Sequence, residues 1–163
     1  IYFCNGINVA DLINLKFSDI QNGEISFIRE KTKDRTRDTK RIYAPITPEM
    51  QSIIEKWGNN PRKSIYIFPF MKAGDDAWEH EKKKKNLTKH INDRMKVIGE
   101  KLNIGKITTY VARHTYATVL RNEGVPVSII SPMLGHTSIT TTEIYLADLE
   151  SENRARNASL LSF

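Results

Sequence analysis

A mainly helical α+β fold with a small three-stranded antiparallel sheet is the class this sequence predicts, and three observations predict it. Apolar residues recur at helical spacing in several segments that carry start and stop signals. Two short runs rich in β-branched and aromatic residues flank one polar connection, as paired strands do. The chain has 163 residues, 39% of them hydrophobic, which is enough for one core and too little for two comfortable ones. It reads as a single unit, residues 1–163, with no internal repeat.

The elements follow in order. Asn8 stands where a helix cap belongs, with Asp11 three residues on and Leu12, Ile13 and Leu15 behind it. Asn22-Gly23 breaks the chain. Ile25, Phe27 and Ile28 read as one strand and Ile42-Tyr43-Ala44 as its partner, joined by a polar tip from Lys33 to Lys40. Thr47-Pro48-Glu49 opens a helix through a capping hydroxyl, a proline at the first helical position and an early acid, and Gly58 ends it. Ile65 to Phe68 is expected as a third strand, stopped by Pro69. Residues 73–81 are expected as a charged loop and Asn86 to Leu102 as a basic helix burying Leu87, Ile91, Met95 and Ile98. Thr109 to Asn122 is the next helix and Gly124 its stop. A short helix runs from Pro126 to Gly135 with a kink expected at Pro132. Ser138 caps a helix carrying Tyr145, and Leu149 to Leu161 reads as a terminal helix or tail.

The formal net charge is +6 with a pI near 9.4, a balance that favours polyanions. The cations cluster in Arg29–Arg41 and Lys82–Lys96, which makes Lys33, Arg35, Arg37 and Lys89 candidate nucleic-acid contacts. No apolar stretch approaches the length of a bilayer span. The single cysteine, Cys4, excludes an internal disulfide framework and fits a reducing compartment. No spacing of Asp, Glu, His or Cys reads as a metal site, and no glycine loop reads as a phosphate cradle, so neither metal nor ATP is expected as a cofactor. The sequence begins without methionine in mid-apolar run, and is read as the C-terminal piece of a longer protein.

The chemistry concentrates in the last third. Arg113-His114-Thr115, Leu134-Gly135-His136 and Tyr145 offer a fixed cation, an imidazole and a phenol. A guanidinium stays charged and grips two phosphate oxygens together. A phenol, with a pKa near 10, needs cations nearby before it attacks. Arg113 shares a helix face with Tyr110 and Ala117 and is expected to point into a cleft rather than be buried. His114 is expected to be structural.

In order and spacing these fragments resemble the signature of the tyrosine recombinases, the phage-integrase family, whose closing box places a histidine nine residues before the nucleophile, as His136 and Tyr145 stand here. The resemblance covers nearly the whole chain and implies the fold of the DNA breaking-rejoining enzymes. It implies a catalytic domain whose N-terminal core-binding partner domain is absent here. It further implies cleavage of double-stranded DNA by Tyr145 through a 3′-phosphotyrosyl bond, without metal or ATP, and resealing from that bond. Arg113 is implied as the phosphate clamp. His136 is implied as a hydrogen-bond partner of the phosphate or an aid to the tyrosine's proton. Lys31, in Lys31-Thr32, is implied as the acid for the departing 5′ oxygen, with Lys33 its rival. The family's His-x-x-Arg-His reads Tyr110-Val111-Ala112-Arg113-His114 in this chain, so Tyr110 offers a hydrogen bond where most members bring a histidine.

One position departs from the pattern. The first arginine of the family opens an early helix in a Gly-hydrophobe-Arg step, and here that step is Gly6-Ile7-Asn8. An amide cannot replace a fixed cation. Arg29 is the expected substitute, because Ile25, Phe27, Arg29 and Lys31 alternate onto one face of a strand.

The reading is therefore a site-specific recombinase, most like the integrase of a mobile element. Its expected setting is the bacterial cytoplasm and nucleoid, with no membrane partner. A homotetramer on DNA is expected for the full-length protein and a monomer for this chain, with Leu149 to Phe163 as an exchange element between copies. The alternatives are a DNA-binding relative impaired by the loss at Asn8, a type IB topoisomerase, and a protein-interaction module unrelated to DNA.

Overall fold

The computed structural model describes residues 1–31 and 41–147. The short helix α1 (Val9–Leu12) comes first, followed by a 3-10 turn at Phe17–Asp19. Three strands then form an antiparallel sheet in the order β1 (Ile20–Gln21), β2 (Glu24–Ile28), β3 (Arg41–Pro45). Helices α2 (Pro48–Trp57), α3 (Ala77–Leu102), α4 (Thr109–Asn122) and α5 (Val127–Met133) complete the series, and residues 139–147 form a further helix, α6. The expected mainly helical fold with a three-stranded antiparallel sheet is what the chain adopts.

The sheet is held by alternation. Phe27 pairs with Ile42 and Ile25 with Ala44, and all four side chains are buried on one face. They pack with Leu15, Met50 and Ile67 into one core. Asn22 and Gly23, both at positive φ, make the tight turn that reverses β1 into β2, as their sequence predicts. A second core gathers Ala117, Ile130, Leu134 and Leu146 from α4, α5 and α6, with Tyr145 at its margin. A third joins Val9, Ile13, Tyr66 and Met71 to Leu87 and Ile91 of α3.

Helix signals were read correctly at α2, where Thr47 Oγ1 accepts from the Met50 amide, and at α4, whose bounds match the expected ones. Four local expectations are corrected. The third strand of the sheet is Ile20–Gln21. Residues 65–68 contribute a single bridge, Tyr66 to Lys16, because the facing segment enters the 3-10 turn at Phe17 and the Ile67 carbonyl accepts the Asn59 amide instead. Helix α3 begins at Ala77 and absorbs much of the expected loop, since Asp76 and Glu79 form a reciprocal capping box that satisfies the first free amides. Ile98 is 43% exposed, because the last turn of α3 instead buries Gly99 against the Gly105 carbonyl, where a Cβ would lie 2.1 Å from the oxygen. Asn8 occupies the cap position of α1 without making a side-chain capping bond.

Pro132 sits in the final turn of α5, and its carbonyl accepts the Gly135 amide at 2.9 Å. The amide it lacks would reach the Ser128 carbonyl, so one rung is missing from this short helix, while the Leu134 amide still reaches the Ile130 carbonyl at 3.0 Å. The expected tail from Leu149 to Phe163 lies outside the described residues. Among the described residues no helix is long and apolar enough to cross a membrane.

Candidate active site

Arg113 projects from the second turn of α4 and is only 4% exposed. That corrects the expectation that it is not buried, although the side chain does line a cleft, as expected. Its Nη1 donates to the Gly6 carbonyl at 3.0 Å and its Nη2 to the Leu134 carbonyl. The guanidinium thus links the loop before α1 to the end of α5. Close approach is possible because Gly6 has no side chain: a Cβ there would lie 2.9 Å from Arg113 Cα. Burial, then the nearby Arg29, lowers the pKa of Arg113 to about 10, which still leaves it cationic at neutral pH.

The α5 helix ends in the left-handed Gly135 at φ 66°, and the turn carries His136 out beside Arg113. His136 Nε2 lies 3.3 Å from Arg113 Nη2, and its Nδ1 lies 2.9 Å from Thr142 Oγ1 on α6. Desolvation, with Arg113, Arg29 and Lys31 adding repulsion, lowers the His136 pKa to about 4. The ring is neutral at pH 7.

Tyr145, on α6, is half-buried within an aromatic enclosure. His114 stacks on it at 4.7 Å between ring centroids, while Tyr110 and His136 meet it edge-on at 6.0 and 5.8 Å. The Tyr145 hydroxyl is buried and has no hydrogen bond of regular geometry among the described residues. Burial, then the neighbouring Tyr110, pushes its pKa above the ordinary phenol value, against a smaller lowering by Arg113. At neutral pH it is therefore a phenol, not a phenolate.

Arg29 lies one residue past the end of β2 and continues its alternation. Its Nη1 donates to the Gly135 carbonyl at 3.1 Å, which sets the side chain against the same turn that presents His136. Asp11, buried in α1, accepts the Glu30 amide at 2.7 Å and so fixes the backbone between Arg29 and the exposed Lys31. Burial raises the Asp11 pKa, while the Glu30 amide and Arg29 draw it back down.

These residues share one cleft of about 480 Å³, lined by Asn8, Arg29, Lys31, Tyr110, Arg113, His136 and Tyr145 among others. Every residue expected to take part in the chemistry lines it: Tyr145, Arg113, His136, Lys31, Arg29 and Tyr110. Two guanidinium groups, an ammonium and a phenol thus surround one concave opening, a donor set whose chemistry suits a phosphate with a hydroxyl beside it. Lys89 is exposed on α3 and does not line the cleft. Lys33, Arg35 and Arg37 lie outside the described residues.

Sequence reasoning missed two residues that shape the site, Thr142 and Asp11, and placed a third without its packing partner. His114, expected as a structural residue, does pack within the fold, and its packing partner is the Tyr145 ring. Thr142 stands one helical turn before Tyr145, a spacing that could have marked it. Asp11 was read only as an early helical acid, and nothing local announces its long-range bond to Glu30.

The chain shares 30% identity over 147 residues with the tyrosine recombinase XerA of Pyrococcus furiosus, an alignment covering 89% of this chain and 47% of the relative. It therefore spans about half the length of that protein. Two solved structures share its fold, each with a TM-score of 0.60. One is XerA recombinase, 23% identical, with 94% of this chain and 55% of that one covered. The other is XerH site-specific recombinase bound to a palindromic difH substrate, 17% identical, with 99% and 43% covered. A model of the phage integrase family matches residues 1–152, the span that contains the whole cleft, and the chain belongs to that family.

Proposed function

We propose that this chain is the catalytic domain of a site-specific tyrosine recombinase that cleaves and rejoins double-stranded DNA. The carrying observation is the convergence of Tyr145, Arg113, His136, Arg29 and Lys31, drawn from four separate elements, on one cleft. In the proposed step the Tyr145 oxygen attacks a phosphorus, the bond from phosphorus to the 5′ oxygen breaks, and that oxygen takes a proton from Lys31. The product is a 3′-phosphotyrosyl link and a free 5′ hydroxyl, and the reverse step reseals the strand. Arg113 and Arg29 grip the non-bridging oxygens, and their electrostatic help is largest in the transition state. Tyr110 supplies a hydrogen bond.

In this reading Arg29 replaces the arginine missing at Asn8. Its position beside Gly135 and on the cleft wall supports that role, and it favours an active enzyme over an impaired relative. A longer protein, with an N-terminal domain closing around the duplex and four copies assembled on DNA, is the proposed working form. The cations Lys33, Arg35, Arg37 and Lys89 are proposed to contact the phosphate backbone outside the scissile position.

The test is a suicide substrate: duplex DNA nicked so that the cleaved segment diffuses away. The expected result is protein covalently trapped on DNA in the wild type and none in Tyr145→Phe. A wild-type protein that binds the duplex without forming the adduct would overturn the reading in favour of a DNA-binding relative.

A further inference from the structure

Thr142 governs the proton on His136, and we propose that through it His136 is set as the acceptor of the Tyr145 proton, donating to the phosphate only once it holds that proton. The inference rests on the recombinase reading and adds a positioning residue to it. A guanidinium has donors only, so where Arg113 Nη2 meets His136 Nε2 at 3.3 Å the ring nitrogen is the acceptor. A neutral imidazole that accepts at Nε2 carries its hydrogen at Nδ1. That nitrogen lies 2.9 Å from Thr142 Oγ1, which accepts the bond. Thr142 is fully buried, so no water competes for the contact. The bond also ties the helix bearing the nucleophile to the turn bearing the histidine.

The groups facing His136 are Arg113 and Tyr110 from α4, Arg29 and Lys31 from the end of β2, and Tyr145 from α6. Among them Tyr145 is the one whose proton must leave during cleavage. When a scissile phosphate enters, Arg113 Nη2 turns to it and frees His136 Nε2. As the bond from the Tyr145 oxygen to phosphorus forms, the phenolic proton passes to Nε2 and gives an imidazolium. Two hydrogen bonds then hold this ion, one to Thr142 and one to a non-bridging phosphate oxygen. On rejoining, the proton returns to Tyr145 as the bond to phosphorus breaks.

The experiment reads the ring directly in the full-length recombinase labelled with ¹⁵N-histidine, with the His136 signals assigned by their loss in His136→Gln. The expected result is a neutral ring protonated at Nδ1 near pH 7. Thr142→Val, which keeps the shape and removes the acceptor, should abolish that signature. Its cleavage should fall about a hundredfold, the lower end of general-base contributions, and Thr142→Ser should restore both. A wild-type ring protonated at Nε2 overturns the proposal, and that measurement needs no variant to fold. An unchanged tautomer in Thr142→Val overturns it as well. Loss of the covalent adduct in the wild type would instead defeat the recombinase reading, leaving the tautomer result to stand by itself.

Discussion

Arg29 and Gly135 are 106 residues apart in sequence, and the Arg29 Nη1 donates to the Gly135 carbonyl at 3.1 Å. The missing side chain at Gly135 makes the contact possible, because a Cβ there would lie 2.4 Å from Arg29 Cδ and equally close to Ile42 Cδ1. One turn therefore both presents His136 and seats the second cation of the cleft.

Arg29→Ala should reduce adduct formation on a suicide substrate by about a hundredfold to a thousandfold, the usual effect of removing one preorganised electrostatic group. Arg29→Lys should recover only part of the rate, since an ammonium cannot grip two oxygens in a plane. Duplex affinity, measured by anisotropy, should change little in either. Normal cleavage by Arg29→Ala would show that the missing cation comes from elsewhere.

Gly135→Ala should destabilise the protein by about 2–4 kcal/mol, combining overpacking with the strain of an alanine at positive φ. Urea unfolding measures the loss. Cleavage should fall in the same variant even where it remains folded, because Arg29 must leave its seat.

His136 predicts a pH dependence whose sign follows from its lowered pKa of about 4. An unfolded histidine titrates near 6.5, so between about 4 and 6.5 the unfolded chain binds the extra proton and the folded one does not. Stability should therefore rise with pH across this window and level off above it. Unfolding midpoints at pH 4.5 and pH 7 should differ less in His136→Gln than in the wild type.

Salt dependence should report the cations beyond the cleft. If Lys89 contacts a phosphate, Lys89→Gln should lower the slope of log affinity against log salt by about 0.9 and leave the chemical step on bound DNA unchanged. An unchanged slope would remove Lys89 from the interface.

Much of this molecule was legible because its signals are local. Thr47-Pro48, Gly124 and Gly135 punctuate helices by backbone chemistry that needs no tertiary partner, and the alternation of Ile25, Phe27 and Arg29 gave the face of β2 before its neighbours were known. The candidate site was legible for a different reason: Arg113, His136 and Tyr145 stand at a spacing shared with a family. Where the reading failed, the cause was long-range. The burial of Arg113 depends on carbonyls of Gly6 and Leu134, which sequence cannot bring together. Residues 65–68 have strand composition, but the Ile67 carbonyl is taken by the Asn59 amide and the facing segment turns at Phe17, so only one bridge remains. Asp76 and Glu79 did carry a local signal, overlooked beneath the charge of the segment around them.

The two carbonyls that hold Arg113 are neutral dipoles, and among the described residues no carboxylate hydrogen-bonds to it. Folding has already stripped this cation of most of its water, and the one carboxylate that acts on it, Asp11, does so without a hydrogen bond. The buried guanidinium is consequently a seat for anions: tungstate or vanadate, simple mimics of a phosphoryl group, should raise the melting temperature of the wild type and fail to do so once Arg113 is replaced by methionine.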